Sequence, residues 1–136
     1  MDTAALQAAL DGIAADYTRR LGLRVVSVLP DGADLVMPVV ADLVHGGGFV
    51  CGQSLLAAAD TAMLVAMIAV HGGFRPMTTV QLGFTFLRPV ASNAGEALVE
   101  GRVLRSGKTL CYGTVDFLVG TERKLFGQAT VTYSLL

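Results

Sequence analysis

The chain has 136 residues, of which 53% are hydrophobic and only 15% charged, and its formal net charge is -1. That length suits one domain spanning 1–136, the apolar content excludes a disordered chain, and the absence of a basic stripe argues against nucleic acid as a partner. Low charge with a mean hydropathy of +0.60 points to apolar surface hidden between subunits. The two cysteines, Cys51 and Cys111, stand far apart. They match neither a zinc-ligand spacing nor a disulfide framework, so no metal and a reducing, cytoplasmic compartment are expected. Acidic residues through Met1 to Asp16 do not suit a secretory leader.

Thr3 to Arg20 reads as one amphipathic helix. Leu6, Leu10, Ile13, Ala14 and Tyr17 recur at spacings of three and four, with Asp2 or Thr3 as cap and Gly22 beyond the end. Leu23 to Leu29 and Ala33 to Val39 read as paired strands joined by Pro30, Asp31 and Gly32. A glycine-rich loop, Ala41 to Val50, leads into a long helix from Gly52 to Val70 that is apolar nearly all round. Such a helix is either in a membrane or wrapped by its own protein. Asp60 sits inside the greasiest stretch, and a carboxylate there is costly in lipid, so no membrane span is expected.

The rest reads as antiparallel sheet. From Thr79 to Phe86 the alternation is clean, with Thr79, Gln81, Gly83 and Thr85 on one side and Val80, Leu82, Phe84 and Phe86 on the other. Further strands run from Glu96 to Leu104, Thr109 to Val119 and Lys124 to Ser134. The economical packing curls this sheet around the greasy helix. The expected fold is therefore α+β, an antiparallel sheet wrapped around one long buried helix, which is the hot-dog architecture.

Asp60 is the chemical outlier. A carboxylate among Ala57, Ala58, Ala59, Ala62 and Met63 must be partnered or protonated, which makes it a candidate base. The alternative reading is an Asp that ties down a loop or reaches water. The amides at the start of the same helix, around Gly52, suit an oxygen that gains negative charge. A base and an oxyanion cradle together suit acyl transfer.

The run Val50-Cys51-Gly52-Gln53-Ser54-Leu55-Leu56-Ala57-Ala58-Ala59-Asp60-Thr61-Ala62-Met63 resembles the helix entry of the hot-dog acyl-CoA thioesterases of the phenylacetate-degradation type. Thr79 to Pro89 is similar to that family's central strand, and Val103 to Leu110 to its later strand turn. The resemblance implies hydrolysis of an acyl-CoA to a free acid and coenzyme A, with no cofactor beyond the coenzyme A of the substrate. It also implies a homodimer or a homotetramer built as a dimer of dimers. In it Asp60 is the base or nucleophile, the Gly52 amide holds the carbonyl oxygen, and Thr79 comes from the other subunit to position water. Gly48 and Gly52 keep the family's glycines, whereas Gln53 replaces its next glycine and Cys51 stands where it has a histidine. A thiol is a poor donor to a carbonyl, so His45 is the candidate replacement imidazole. Cys51, at a helix start, is itself a candidate nucleophile. Arg88, Arg105, Ser106, Gly107 and Lys108 are candidates for holding coenzyme A. The departures at Cys51 and Gln53 also fit a non-catalytic acyl-CoA or acyl-carrier binding protein on the same fold. His71 and Cys111 read as structural.

Overall fold

The computed structural model describes residues 1–136. Its elements are α1 (Thr3–Ile13), α2 (Asp16–Arg19), β1 (Arg24–Leu29), β2 (Gly32–Pro38), a single 3-10 turn (Ala41–Leu43), α3 (Gly52–His71), β3 (Met77–Phe86), β4 (Glu96–Ser106), β5 (Leu110–Val119) and β6 (Lys124–Leu135). The six strands form one sheet in the order β1-β2-β4-β5-β6-β3, with every neighbour antiparallel. The sheet wraps α3, so this is the expected hot-dog fold.

The N-terminal region differs from the single helix expected over Thr3 to Arg20. Asp2 caps α1 by accepting the Ala5 N–H at 2.8 Å, but Ala14 and Ala15 are extended, with ψ of 135° and 154°. The apolar stripe explains the break. Leu6 and Leu10 are buried, whereas Ile13 and Tyr17 stay exposed, so nothing draws the helix onward. The turn instead brings Leu21 and Leu23 into the core. The Nε–H of Arg19 donates to the Ala14 carbonyl left free by the break.

Close contact between α3 and the sheet depends on small residues from both sides. Ala58, Ala59, Ala62 and Ala66 of α3 are fully buried. Facing them are Gly101 on β4 and Gly113 on β5. A Cβ at Gly101 would lie 2.9 Å from the Ala62 carbonyl oxygen, and one at Gly113 would meet the Met63 sulfur and the Arg102 carbonyl oxygen. Gly72, with φ of +72°, closes the helix in the left-handed conformation that glycine adopts freely. By length and composition α3 qualifies as a membrane span, yet 61% of its most apolar window is buried within the protein.

Two expectations about these elements need correction. First, α3 is not wrapped all round. Leu56, Ala57, Asp60 and Leu64 are only partly buried and Gln53 is exposed, and their spacing places them along one stripe of the helix. Second, the alternation along β3 is not clean. The register slips between Thr79 and Gln81, a β-bulge that leaves Val80 unpaired and 57% exposed. Thr79 pairs with Tyr133, Leu82 with Val131 and Phe84 with Ala129. Thr79 therefore shares the helix-facing side with Leu82 and Phe84, not the outer side with Gln81. β3 also has a free edge, since it pairs only with β6.

Candidate active site

The bulge places Thr79 beside Asp60. The Oγ1–H of Thr79 donates to Asp60 Oδ1 at 2.7 Å. From β6, the hydroxyl of Tyr133 lies 2.7 Å from the same Oδ1 and 2.6 Å from the Asp60 main-chain oxygen. The carboxylate is therefore partnered, as its apolar setting requires. These contacts form within one chain, whereas the sequence resemblance put Thr79 on the other subunit. Tyr133 is only 4% exposed. Burial, then the Asp60 charge and the hydrogen bond to it, push its phenol far above the usual range, so it stays protonated. Oδ2 accepts no hydrogen bond within the chain.

Sequence reasoning missed Tyr133. Along Lys124 to Ser134 the apolar positions Leu125, Ala129, Val131 and Tyr133 alternate with polar Gln128, Thr130, Thr132 and Ser134, which marks Tyr133 as an inward position and nothing more. A signal was there, because a tyrosine on an inward face must find a partner for its hydroxyl. The identity of that partner depended on the packing of β6 on α3.

A second group gathers at the start of α3. No side chain caps the helix, and the Gly52 N–H has no acceptor within the chain. The Phe86 ring lies alongside, 3.3 Å from where a Gly52 Cβ would be. Next to it is a pocket of about 370 Å³ lined by His45, Phe49, Val50, Leu55 and Phe86 to Val90. His45 Nδ1 accepts the Gly47 N–H at 2.9 Å, which leaves Nε2 to carry the ring proton as a free donor. Arg88 lines this pocket, away from the other basic residues proposed for coenzyme A. Gly48 lies in the exposed loop with φ of +89°, and Gln53 is exposed.

Cys51 is not part of either group. Its sulfur lies 2.9 Å from Ser54 Oγ, in a separate recess of about 170 Å³ with Tyr17, Arg20, Leu21, Asp42 and Leu43. Its hydrogen bond to the Ser54 hydroxyl, aided by nearby backbone amides, lowers the thiol pKa. The remaining candidates sit at the far end of α3. Arg105, Gly107 and Lys108 line an open recess of about 250 Å³ at the β4–β5 turn. Ser106 Oγ lies 2.9 Å from His71 Nε2.

One distance governs what these groups can do together. Gly52 and Asp60 belong to the same helix, about 12 Å apart along its axis at roughly 1.5 Å per residue. A single thioester carbonyl spans about 1.2 Å. It cannot touch the Gly52 amide and the Asp60 carboxylate of one chain at once.

A family model described as the thioesterase superfamily matches residues 42–126, well over half of the chain. The chain belongs to the thioesterase superfamily. The matched span includes α3, Asp60 and Thr79 but stops short of Tyr133. Among solved structures the superfamily member is similar to mouse thioesterase superfamily member 2, with a TM-score of 0.88, 23% identity, and coverage of 98% of this chain and 97% of that one. It is similar to the E. coli PaaI protein from the phenylacetic acid degradation operon, with a TM-score of 0.82, 18% identity, and coverage of 100% and 96%. A conserved protein of Pseudomonas aeruginosa shares 28% identity at a TM-score of 0.82, with coverage of 93% and 98%. These likenesses establish the hot-dog fold. No curated protein sequence matches the chain.

Proposed function

We propose that this protein is a cytoplasmic acyl-CoA thioesterase whose sites form between two copies of the chain. The observation that carries the reading is Asp60: a carboxylate with one oxygen free, on a partly open apolar stripe of α3, within a chain that belongs to the thioesterase superfamily. A second α3 laid antiparallel over that stripe would cover Leu56 and Ala57. It would also bring the Gly52 amide of one copy to the Asp60 of the other, which the separation along one helix otherwise forbids.

In that arrangement the Gly52 amide, at the positive end of the helix dipole, holds the thioester oxygen as it becomes an oxyanion. His45 Nε2–H is the second donor toward that oxygen, in place of the imidazole lost at Cys51. Asp60 activates water or attacks the carbonyl carbon directly. On either route the C–S bond breaks and the coenzyme A thiolate takes up a proton. If water attacks, its oxygen enters the free acid at once. If Asp60 attacks, the mixed anhydride it forms with the acyl group is hydrolysed by water, which returns the carboxylate and releases the free acid. Arg105 and Lys108 attract the phosphates of coenzyme A, and Gly107 lets the backbone approach the pantetheine closely.

The test is release of free thiol from a panel of straight-chain and aromatic acyl-CoAs. Wild type should turn over at least one of them, and Asp60→Asn should lower kcat by at least about a hundredfold. Equal rates in the two proteins would remove the proposed role of Asp60. Tight acyl-CoA binding without turnover would instead make the protein a binding module.

A further inference from the structure

We propose that Tyr133 is the positioning residue for Asp60, and that with Thr79 it grips Oδ1 so that Oδ2 is the oxygen presented to the thioester or its water. This inference rests on the thioesterase reading above. The geometry is one-sided. Both hydroxyls lie 2.7 Å from Oδ1 and neither reaches Oδ2. An aspartate on a helix otherwise turns about its side-chain bonds, and a carboxylate free to turn spends little time in the reactive orientation. Two charge-assisted hydrogen bonds to one oxygen remove that freedom.

The two donors are not equivalent. Thr79 lies on the free-edge strand β3 and is exposed. Tyr133 lies on β6, inside the sheet, between Thr79 on one side and the fully buried Cys111 on the other. Its one hydroxyl proton is shared between Oδ1 and the Asp60 main-chain oxygen, at 2.7 and 2.6 Å, a three-centre bond that references the side chain to the helix backbone. Tyr133 is thus the fixed donor and Thr79 the exposed one. Neither the covalent chemistry nor substrate contact is assigned to Tyr133, since the ring is buried.

Tyr133→Phe keeps the ring and removes only the hydroxyl, and circular dichroism checks that the fold is retained. We expect kcat to fall about tenfold. KM, and the inhibition constant of a non-hydrolysable acyl-CoA thioether, should stay within about twofold. Combining Tyr133→Phe with Thr79→Val should cost more in kcat than the product of the two single losses, because each donor partly covers for the other. Unchanged kcat in Tyr133→Phe, or a loss confined to KM and inhibitor affinity, would overturn the inference and leave Asp60 in place. Absence of wild-type turnover with every acyl-CoA would overturn both readings.

Discussion

Two clusters of polar side chains tie α3 to the sheet, and they have different fates. Near the middle of the helix, Asp60 meets Thr79 and Tyr133 at 2.7 Å. At its C-terminal end, His71 meets Ser106 at 2.9 Å, and Ser106 in turn lies 3.4 Å from Cys111. By hydrogen-bond length the two look alike. Asp60, however, keeps an oxygen free on a partly open stripe, whereas the other ring nitrogen of His71 is buried without any partner. A nucleophile–base pair needs a third group to orient the base, and Ser106–His71 lacks one. Hydrogen bonding anchors both clusters, but only the first keeps a carboxylate oxygen free on the partly open stripe of α3.

The largest effect that tests this contrast is on turnover. Asp60→Asn should lose at least about a hundredfold in kcat, while His71→Gln should retain turnover. Comparable losses in the two variants would erase the distinction between the clusters. Next comes the packing that holds both in place. Gly113→Ala must displace Met63 or the backbone at Arg102, and should cost about 1–3 kcal/mol in stability by urea unfolding. No loss would show that α3 can shift away from β5 freely.

Two pH effects are smaller and opposite in direction. Burial and the Asp60 charge raise the Tyr133 phenol above its unfolded value. Its contribution is therefore complete below about pH 10 and declines above that, as the unfolded chain loses a proton the folded one keeps. Tyr133→Phe should flatten the alkaline fall in the urea midpoint. His71 is shifted the other way, downward, by burial and then by the Arg75 charge. Its contribution is complete above about pH 6.5 and is lost as pH falls, because the unfolded chain takes up the proton first. His71→Gln should therefore narrow the gap between the midpoints at pH 7.5 and pH 5. An unchanged gap would mean that the ring is as easily protonated in the folded chain.

Much of this was legible in the residues. A lone carboxylate in a run of alanines marked Asp60, and period-two alternation marked β6. The glycine entry to α3 marked the Gly52 amide. What escaped was set by tertiary contacts. Alternation alone groups Thr79 with Gln81, Gly83 and Thr85, and only its pairing with Tyr133 beside a bulge turns it toward Asp60. Tyr133 and Asp60 are far apart in sequence, so no local spacing joins them. The break at Ala14 was hidden because alanine is an excellent helix former. What ends the helix there is the lack of anything for Ile13 and Tyr17 to pack against. The basic candidates looked like one group, but Arg88 lies at one end of α3 and Arg105 and Lys108 at the other.

The most direct test of a site shared between chains is complementation. Gly52→Pro removes the proposed oxyanion donor at the first helical position, where proline is tolerated. A Cβ there would meet only the Phe86 ring, at 3.3 Å, and Phe86 is half exposed. Asp60→Asn removes the carboxylate. Each variant alone should be nearly inactive. In mixed dimers from coexpression, one of the two sites regains both groups, so the pooled dimers should recover about a quarter of wild-type turnover. Purified mixed dimers with no more activity than either parent would contradict a site built from two chains.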